Sequence, residues 1–320
     1  MGKTKKRLKD IVFMKLNFIQ KGKTQPDPYV FEADGKFYMY VTCVDGVEAY
    51  SADDLFGEWN YEGIVCTVEG RRDYWAPCIM KYEDKFYLYF SCEAIDRPQT
   101  DACLQFLHVA SSENPLGPFK DAKMLYDRFS IDAHVVETKD GLFLFYAEDD
   151  TEAERIGTRI YVDKLIDPET PANQRVEVVS PSFDEEIFMR NRFGDGKDWH
   201  TIEGPFWFEE KGYQYVMYSG GCYQNDTYHI GYASAKSTET DLTKVEFKKA
   251  VRCRKFCPVI IKNEVEEGTG HHSVIKYKGE WYAVYHGRDI KTADNAEYTE
   301  ERTARICRLI VKDGKIKAER

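Results

Sequence analysis

The stretch Thr201–Tyr218, TIEGPFWFEEKGYQYVMY, places two aromatic-rich runs on either side of Lys211-Gly212. Aromatic and β-branched residues favour strands, and two such runs joined by a short glycine turn read as a β-hairpin. One carboxylate, Glu203, stands just ahead of the first run. Whether it is a surface charge or a working group depends on whether the arrangement recurs. It does: similar turns followed by aromatic runs begin at Gly35 (GKFYMYV), Asp84 (DKFYLYF), Gly141 (GLFLFYA), Gly212 (GYQYVMY) and Gly279 (GEWYAVY). The spacing between them leaves room for about four strands and their loops per unit.

Further strand signals lie between the copies. AYSADDLFGEWNYEG and VASSENPLGPFKDA resemble one another, and YASAKSTETDLTKVEF is a looser third version. No long segment carries an apolar period of 3.6, so the chain reads as all-β. Five similar units cannot each bury their own faces, and packing around a common axis solves that. The expectation is a five-bladed β-propeller. A β-sandwich also has many strands but does not produce five matching hairpins. ICRLIVKDGKI, near the C-terminus, reads as a final strand pair that closes the ring. No linker interrupts the pattern, which predicts a single domain over residues 1–320. Residues 1–23 read as a basic, solvated tail leading into it.

Composition narrows the function classes. A hydrophobic share of 42% with 31% charged residues describes a soluble globular protein. A net charge of −10 argues against nucleic acid, whose binding rests on neutralising phosphates. No apolar run is long enough to span a bilayer. The run Ile11–Met14 is too short for a signal-peptide core, with Lys15 following at once. The nine cysteines have no regular spacing, and CRKFC (253–257) lacks the second pair a zinc site needs. Reduced thiols and no secretion signal predict a cytoplasmic protein.

Counting back from the turns compares the units. Eight residues before them stand Asp27, Ala76, Ala133, Gly204 and His271; nine before stand Pro26, Trp75, Asp132, Glu203 and Gly270. In a propeller the start of each innermost strand lies by the central channel, so these side chains converge. Carboxylates gathered there repel one another and lose solvation, which raises at least one pKa and stabilises nothing. Any one of them alone is explained as a strand-cap or turn residue. Asp27, Asp132 and Glu203 together point to function.

QPDPYVF, YWAPCI, IDAHVV, IEGPFWF, GTGHHSV and VYHGR are similar, in order and spacing, to the sequential motifs of glycoside hydrolase family 43. The resemblance runs from about Gln25 to the end. It implies a five-bladed β-propeller that removes arabinofuranosyl or xylosyl units from plant cell-wall polysaccharides with inversion. Carried over motif by motif, Asp27 would be the general base and Glu203 the general acid. Asp132 would raise the acid's pKa and help orient it. Trp75 would form part of the sugar-contacting wall, and Arg288 would reach the bound sugar. His271 resembles a channel histidine found beside a hydrated cation such as calcium, although one imidazole is a poor basis for a tight calcium site. His272 is expected to point away from the channel by strand alternation.

The resemblance thus implies an exo-acting α-L-arabinofuranosidase, β-xylosidase, or both, acting on small oligosaccharides. The chain is too short for the C-terminal β-sandwich of some family xylosidases, which tilts the expectation toward arabinofuranosidase or mixed activity. The alternatives are an endo-arabinanase of the same family and a non-catalytic sugar-binding propeller. A related retaining enzyme would need its carboxylates roughly 5–5.5 Å apart, against roughly 6.5–9.5 Å for inversion.

Overall fold

The computed structural model describes residues 13–18, 24–97, 104–290 and 300–320. Five antiparallel meanders follow one another along the chain. Blade I comprises Tyr29–Ala33, Lys36–Val41, Val47–Ala52 and Glu58–Cys66. Blade II comprises Arg71–Tyr82, Lys85–Ala94, Phe106–Ser112 and Lys120–Met124. Blade III has Ile131–Thr138, Gly141–Asp150 and Gly157–Asp167, edged by Val176–Val179. Blade IV has Trp199–Glu210, Tyr213–Gly220, His229–Lys236 and the short Lys248–Lys249. Blade V has Glu266–Tyr277, Glu280–Asp289 and Thr303–Lys312. Among the described residues the only helical turns are Asp184–Glu186 and Leu242–Lys244, so no helix is long and apolar enough to cross a membrane.

The ring closes through side chains. The five innermost strands touch in cyclic order, blade I against II and so on to blade V against I. One apolar core fills each of the five joints between blades, and the fifth packs Phe37, Met39 and Tyr50 of blade I against Tyr277, Tyr282 and Ile306 of blade V. This explains why the second strands read as continuous apolar runs instead of alternating with polar residues. In Lys36–Val41, Phe37 and Met39 face blade V while Tyr38 and Tyr40 face blade II. Both faces of such a strand are buried, and alternation separates two cores instead of core from solvent.

The outer edge of blade V is completed from both chain ends. Lys315–Glu319 pairs with Thr303–Lys312 across the Asp313-Gly314 turn, as the C-terminal pattern predicts. Phe13–Lys15 pairs antiparallel with the other half of the same strand, and Asn17–Phe18 runs parallel to Glu58–Cys66 of blade I. The basic start is therefore more than a solvated tail. Its residues 13–18 satisfy an open strand edge, and Leu16 is buried in the joint between blades I and V. The rest of that tail lies outside the described residues.

The turn of the third unit is also one residue earlier than the glycine suggests. Thr138 pairs with Gly141, so the turn is Lys139-Asp140. Counted from the true turns, the eighth position back is Asp27, Ala76, Asp132, Gly204 and His271. All five have left-handed backbone, with φ of 53°, 44°, 61°, 58° and 41°. In blades II to V the ladder slips by one residue at this point, for example between Trp75↔Ser91 and Cys78↔Tyr89. That is a β-bulge, which bends a strand and re-aims a side chain. Left-handed backbone costs a non-glycine residue about 1–3 kcal/mol and persists where the surroundings enforce it. Here it recurs in every blade at the same height.

Just below the bulges, Tyr29, His134, Phe206 and His272 plug the hub. The His134 and Phe206 rings lie 4.0 Å apart, and Tyr29 and His272 lie 5.8 and 6.3 Å from Phe206. His272 thus faces inward, contrary to simple alternation, because the bulge at His271 shifts the phase by one residue.

Candidate active site

Above this plug the bulges open into a pocket of about 130 Å³. Asp27, Asp132, Glu203, His271 and Trp75 all line it, joined by Thr42, Ile131, Tyr223, Tyr228 and Arg302. The three carboxylates, each from a different blade, therefore meet.

Asp27 is 8% exposed and surrounded by donors. The Thr42 hydroxyl donates to Oδ2 at 2.5 Å, and the Arg302 guanidinium to Oδ1 at 3.3 Å. His271 Nδ1 lies 3.5 Å from Oδ1, and His286 Nδ1, 3.1 Å from Oδ1, also accepts the Asp27 backbone N–H at 3.1 Å. Burial alone would raise the Asp27 pKa. His271, Arg302 and His286 outweigh it and hold the carboxyl well below the usual carboxylate range.

Glu203 has the opposite fate. Burial pushes it up to about 7, and the Asp27 and Asp149 charges add to the rise. Two groups oppose this, the Tyr228 hydroxyl, which donates to Oε1 at 2.5 Å, and Arg302. Tyr228 is seated closely: its ring stacks on His286 at 5.6 Å, and a Cβ on Gly270 would fall 1.9 Å from it. Gly270 therefore tolerates no side chain while Tyr228 holds this position.

Asp132 is buried, and its Oδ2 accepts the Gly204 backbone N–H at 2.9 Å, which fixes the bulge beside Glu203. Burial, then Glu203, then Asp27 push its pKa well above the ordinary value. Asp132 and Glu203 thus form a pair that resists losing both protons, because two charges this close in low dielectric repel.

Arg288 does not line the pocket. Its Nε donates to Glu267 at 3.0 Å, and its guanidinium donates to the Tyr223 carbonyl at 3.1 Å, closely over Gly268. It props the residue that forms the wall. The arginine facing the pocket is Arg302, held by Glu300 and lying 4.8 Å from the Tyr223 ring. The VYHGR motif does supply a close neighbour of the site, but it is His286, against Asp27.

The model for Glycosyl hydrolases family 43 matches residues 19–316. The chain belongs to glycoside hydrolase family 43. It is similar to a xylosidase/arabinosidase of Bacteroides ovatus, 24% identical, with 84% of this chain and 87% of the relative covered. Its fold matches the crystal structure of a thermostable family-43 glycoside hydrolase, 29% identical, TM-score 0.74, over 93% of each chain. An α-L-arabinofuranosidase from Lactobacillus brevis superposes with TM-score 0.75 at 20% identity, over 91% of this chain and 93% of that one.

Within this family 43 site, one atom each of Asp132, Glu203 and His271 lie within 4.8 Å of one another, which is close enough to share an ion. The donors do not suit calcium, which takes roughly six to eight oxygens at 2.3–2.6 Å. Two carboxylate oxygens and one nitrogen fall short of that number. Glu203, moreover, keeps its proton up to about pH 7. The residues present do not fit a resident calcium ion, and no chemical step below passes through one.

Proposed function

We propose that this glycoside hydrolase releases single terminal pentosyl units, α-L-arabinofuranosyl or β-D-xylosyl, from short xylan- or arabinoxylan-derived oligosaccharides with inversion. The observation that carries the reading is the divergence of two buried carboxyls in one small pocket: Asp27 is held ionised and Glu203 protonated near neutrality. A base and an acid poised in opposite states are what a single-displacement hydrolysis needs.

In that reaction a water gives its proton to Asp27 as its oxygen bonds to the anomeric carbon. The glycosidic C–O bond breaks on the opposite face, and Glu203 protonates the departing oxygen. Asp27 ends neutral and Glu203 ionised, and proton exchange with solvent resets both. Tyr228 keeps its hydrogen bond to Oε1 throughout, so it steadies the carboxylate that forms. Asp132 fixes the bulge that aims Glu203, and its reluctance to ionise beside Glu203 limits the negative charge in the pocket. Trp75 supplies an apolar wall for the sugar, and Arg288 supports the opposite wall through Tyr223.

Pocket size favours exo action. At about 130 Å³ the part lined by Asp27, Asp132 and His271 has room for one sugar ring, and a wider space adjoins it on the Glu203 side, where the leaving group departs. The names of the similar proteins agree with pentosides as substrates. Buried, unpaired thiols such as Cys66, Cys78 and Cys307 support a reducing cytoplasmic setting, which cell fractionation checks.

The test is release of nitrophenol from the α-L-arabinofuranoside and β-D-xyloside, with Asp27→Ala and Glu203→Ala alongside. Turnover of at least one glycoside, lost in Asp27→Ala, supports the reading. Binding without turnover by the unmodified protein would make it a sugar-binding propeller. Internal cuts in linear arabinan would make it an endo-arabinanase.

A further inference from the structure

Beyond Glu203 lies a second, larger cavity of about 440 Å³. It shares Trp75, Ile131, Glu203 and Tyr223 with the catalytic pocket, so Glu203 stands in the doorway between them. Its far wall comes from the connection between blades III and IV. Phe193 and Trp199 meet edge to face with centroids 5.4 Å apart, and Phe193 remains 52% exposed at the rim. This segment is anchored. Fully buried Glu186 accepts the Ser182 and Phe183 N–H groups at 2.6 and 3.0 Å and pairs with Lys249 at 2.5 Å. Phe193 therefore offers an exposed ring at the rim of an anchored segment, backed by buried Trp199, with the Arg192 guanidinium 5.2 and 4.9 Å from the two rings.

One carboxylate in this cavity, Asp149, has no partner among the described residues of the catalytic pocket and reaches the reaction only through its charge, which helps raise the Glu203 pKa. Asp149 sits near the end of the second strand of blade III, directly opposite Thr158. The Thr158 hydroxyl donates to its Oδ1 at 2.7 Å. Its Oδ2 has no partner among the described residues. Against burial, the Thr158 hydroxyl and the Arg192 charge in the same lining favour its ionised form, and an ionised acceptor left open in a partly buried, aromatic-lined cavity is placed to take a donor from a ligand.

We infer that this cavity receives the leaving group, and that Asp149 selects a sugar there by accepting a hydrogen bond from one of its hydroxyls while the exposed Phe193 packs against the ring. The inference rests on Glu203 being the proton donor, because that places the departing oxygen at the doorway. Stacking alone would accept any flat or apolar leaving group. Asp149 adds discrimination, because a site built around a hydroxyl is penalised when the hydroxyl is missing.

The experiment compares two leaving groups behind the same terminal pentose, nitrophenol and a second pentose. Nitrophenol stacks but has no hydroxyl to donate once bonded in the glycoside. The substrates are the nitrophenyl pentoside the protein hydrolyses best and the matching disaccharide, xylobiose or α-1,5-arabinobiose. Asp149→Ala should lower kcat/KM on the disaccharide by about 10- to 100-fold, the range for one charge-assisted hydrogen bond. The nitrophenyl rate should stay within about threefold, which also shows that the variant folds. Asp149→Asn, which keeps an acceptor oxygen, should recover part of the loss on the disaccharide. Equal losses on both substrates, or a disaccharide loss accompanied by a shift of the alkaline limb of the kcat/KM profile to lower pH, would overturn the inference and make Asp149 a neighbour that only tunes Glu203. If the unmodified protein turned over neither substrate, the hydrolase reading itself would fail and this inference with it.

Discussion

Asp27 and Glu203 face one pocket from blades I and IV, and both have lost most of their water. Burial raises the pKa of any carboxyl, so on burial alone both would be protonated. The difference lies in their neighbours. Asp27 has a permanent cation, a hydroxyl and two imidazoles within 3.5 Å, whereas Glu203 has one tyrosine hydroxyl and faces other carboxylates. Desolvation supplies the strain, and the local charges decide which way each group yields.

Removing either group breaks the comparison outright and should have the largest effect. Asp27→Ala is expected to lower kcat by about 10²- to 10⁴-fold, the usual contribution of a general base. Glu203→Ala should do the same for oligosaccharides, with a smaller loss on nitrophenyl glycosides, whose leaving group needs less protonation. Steady-state rates on both substrates check this.

Stripping Asp27 of its cation should come next. With Arg302→Met the carboxyl keeps its burial but loses a charge that holds it ionised, so its pKa rises. The base must be ionised to act, and the acidic limb of the kcat/KM profile should therefore move to higher pH. A variant with an unmoved acidic limb would show that Arg302 serves some other purpose.

On the other side, Tyr228→Phe removes the hydroxyl that favours ionised Glu203. The acid's pKa should rise above about 7, and the alkaline limb should move up by about one to two units. Arg302 also lowers the Glu203 pKa, so Arg302→Met should move both limbs upward whereas Tyr228→Phe moves only the alkaline one, which is how they sharpen the contrast.

Not all of this contrast was legible in the sequence. The five hairpins were, because aromatic runs buried on both faces leave a strong local pattern. The convergence of Asp27, Asp132 and Glu203 followed from counting along those repeats. The count itself was one residue off in the third unit, since Gly141 looks like the turn residue but pairs across the ladder with Thr138. The bulges were hidden for a related reason: a left-handed residue has no sequence mark when it is Ala76 or His271. Arg302 and Tyr228 were missed because they stand just ahead of the third strands of blades V and IV, where only the folded ring brings them back to the mouth. Arg288 was mistaken for the pocket arginine because its motif does border the site, through His286. Phe13–Lys15 looked like tail because an edge strand added from afar has no hairpin partner nearby.

A smaller effect concerns stability. A carboxyl raised to about 7 when folded, from an ordinary 4.5, binds its proton more tightly in the native state than in the unfolded one. Its contribution is fully present below the unfolded value and is lost as pH rises through the folded value. Glu203→Gln keeps an acceptor for Tyr228 but cannot ionise. It should be inactive on oligosaccharides yet more stable than the parent at pH 8, by on the order of 2–3 kcal/mol, and not at pH 4. Thermal unfolding at the two pH values checks it. The smallest expected effect is that of chelation: activity in excess EDTA should match activity without it, because the donors around His271 do not suit calcium.

The most direct measurement is the configuration of the first sugar released, followed by proton NMR during the first minutes of hydrolysis. If Asp27 directs a water from the face opposite Glu203, the initial product carries the anomeric configuration opposite to that of the substrate. A product that first appears with the configuration retained would mean a covalent sugar–enzyme intermediate, and would contradict the assignment of Asp27 as base.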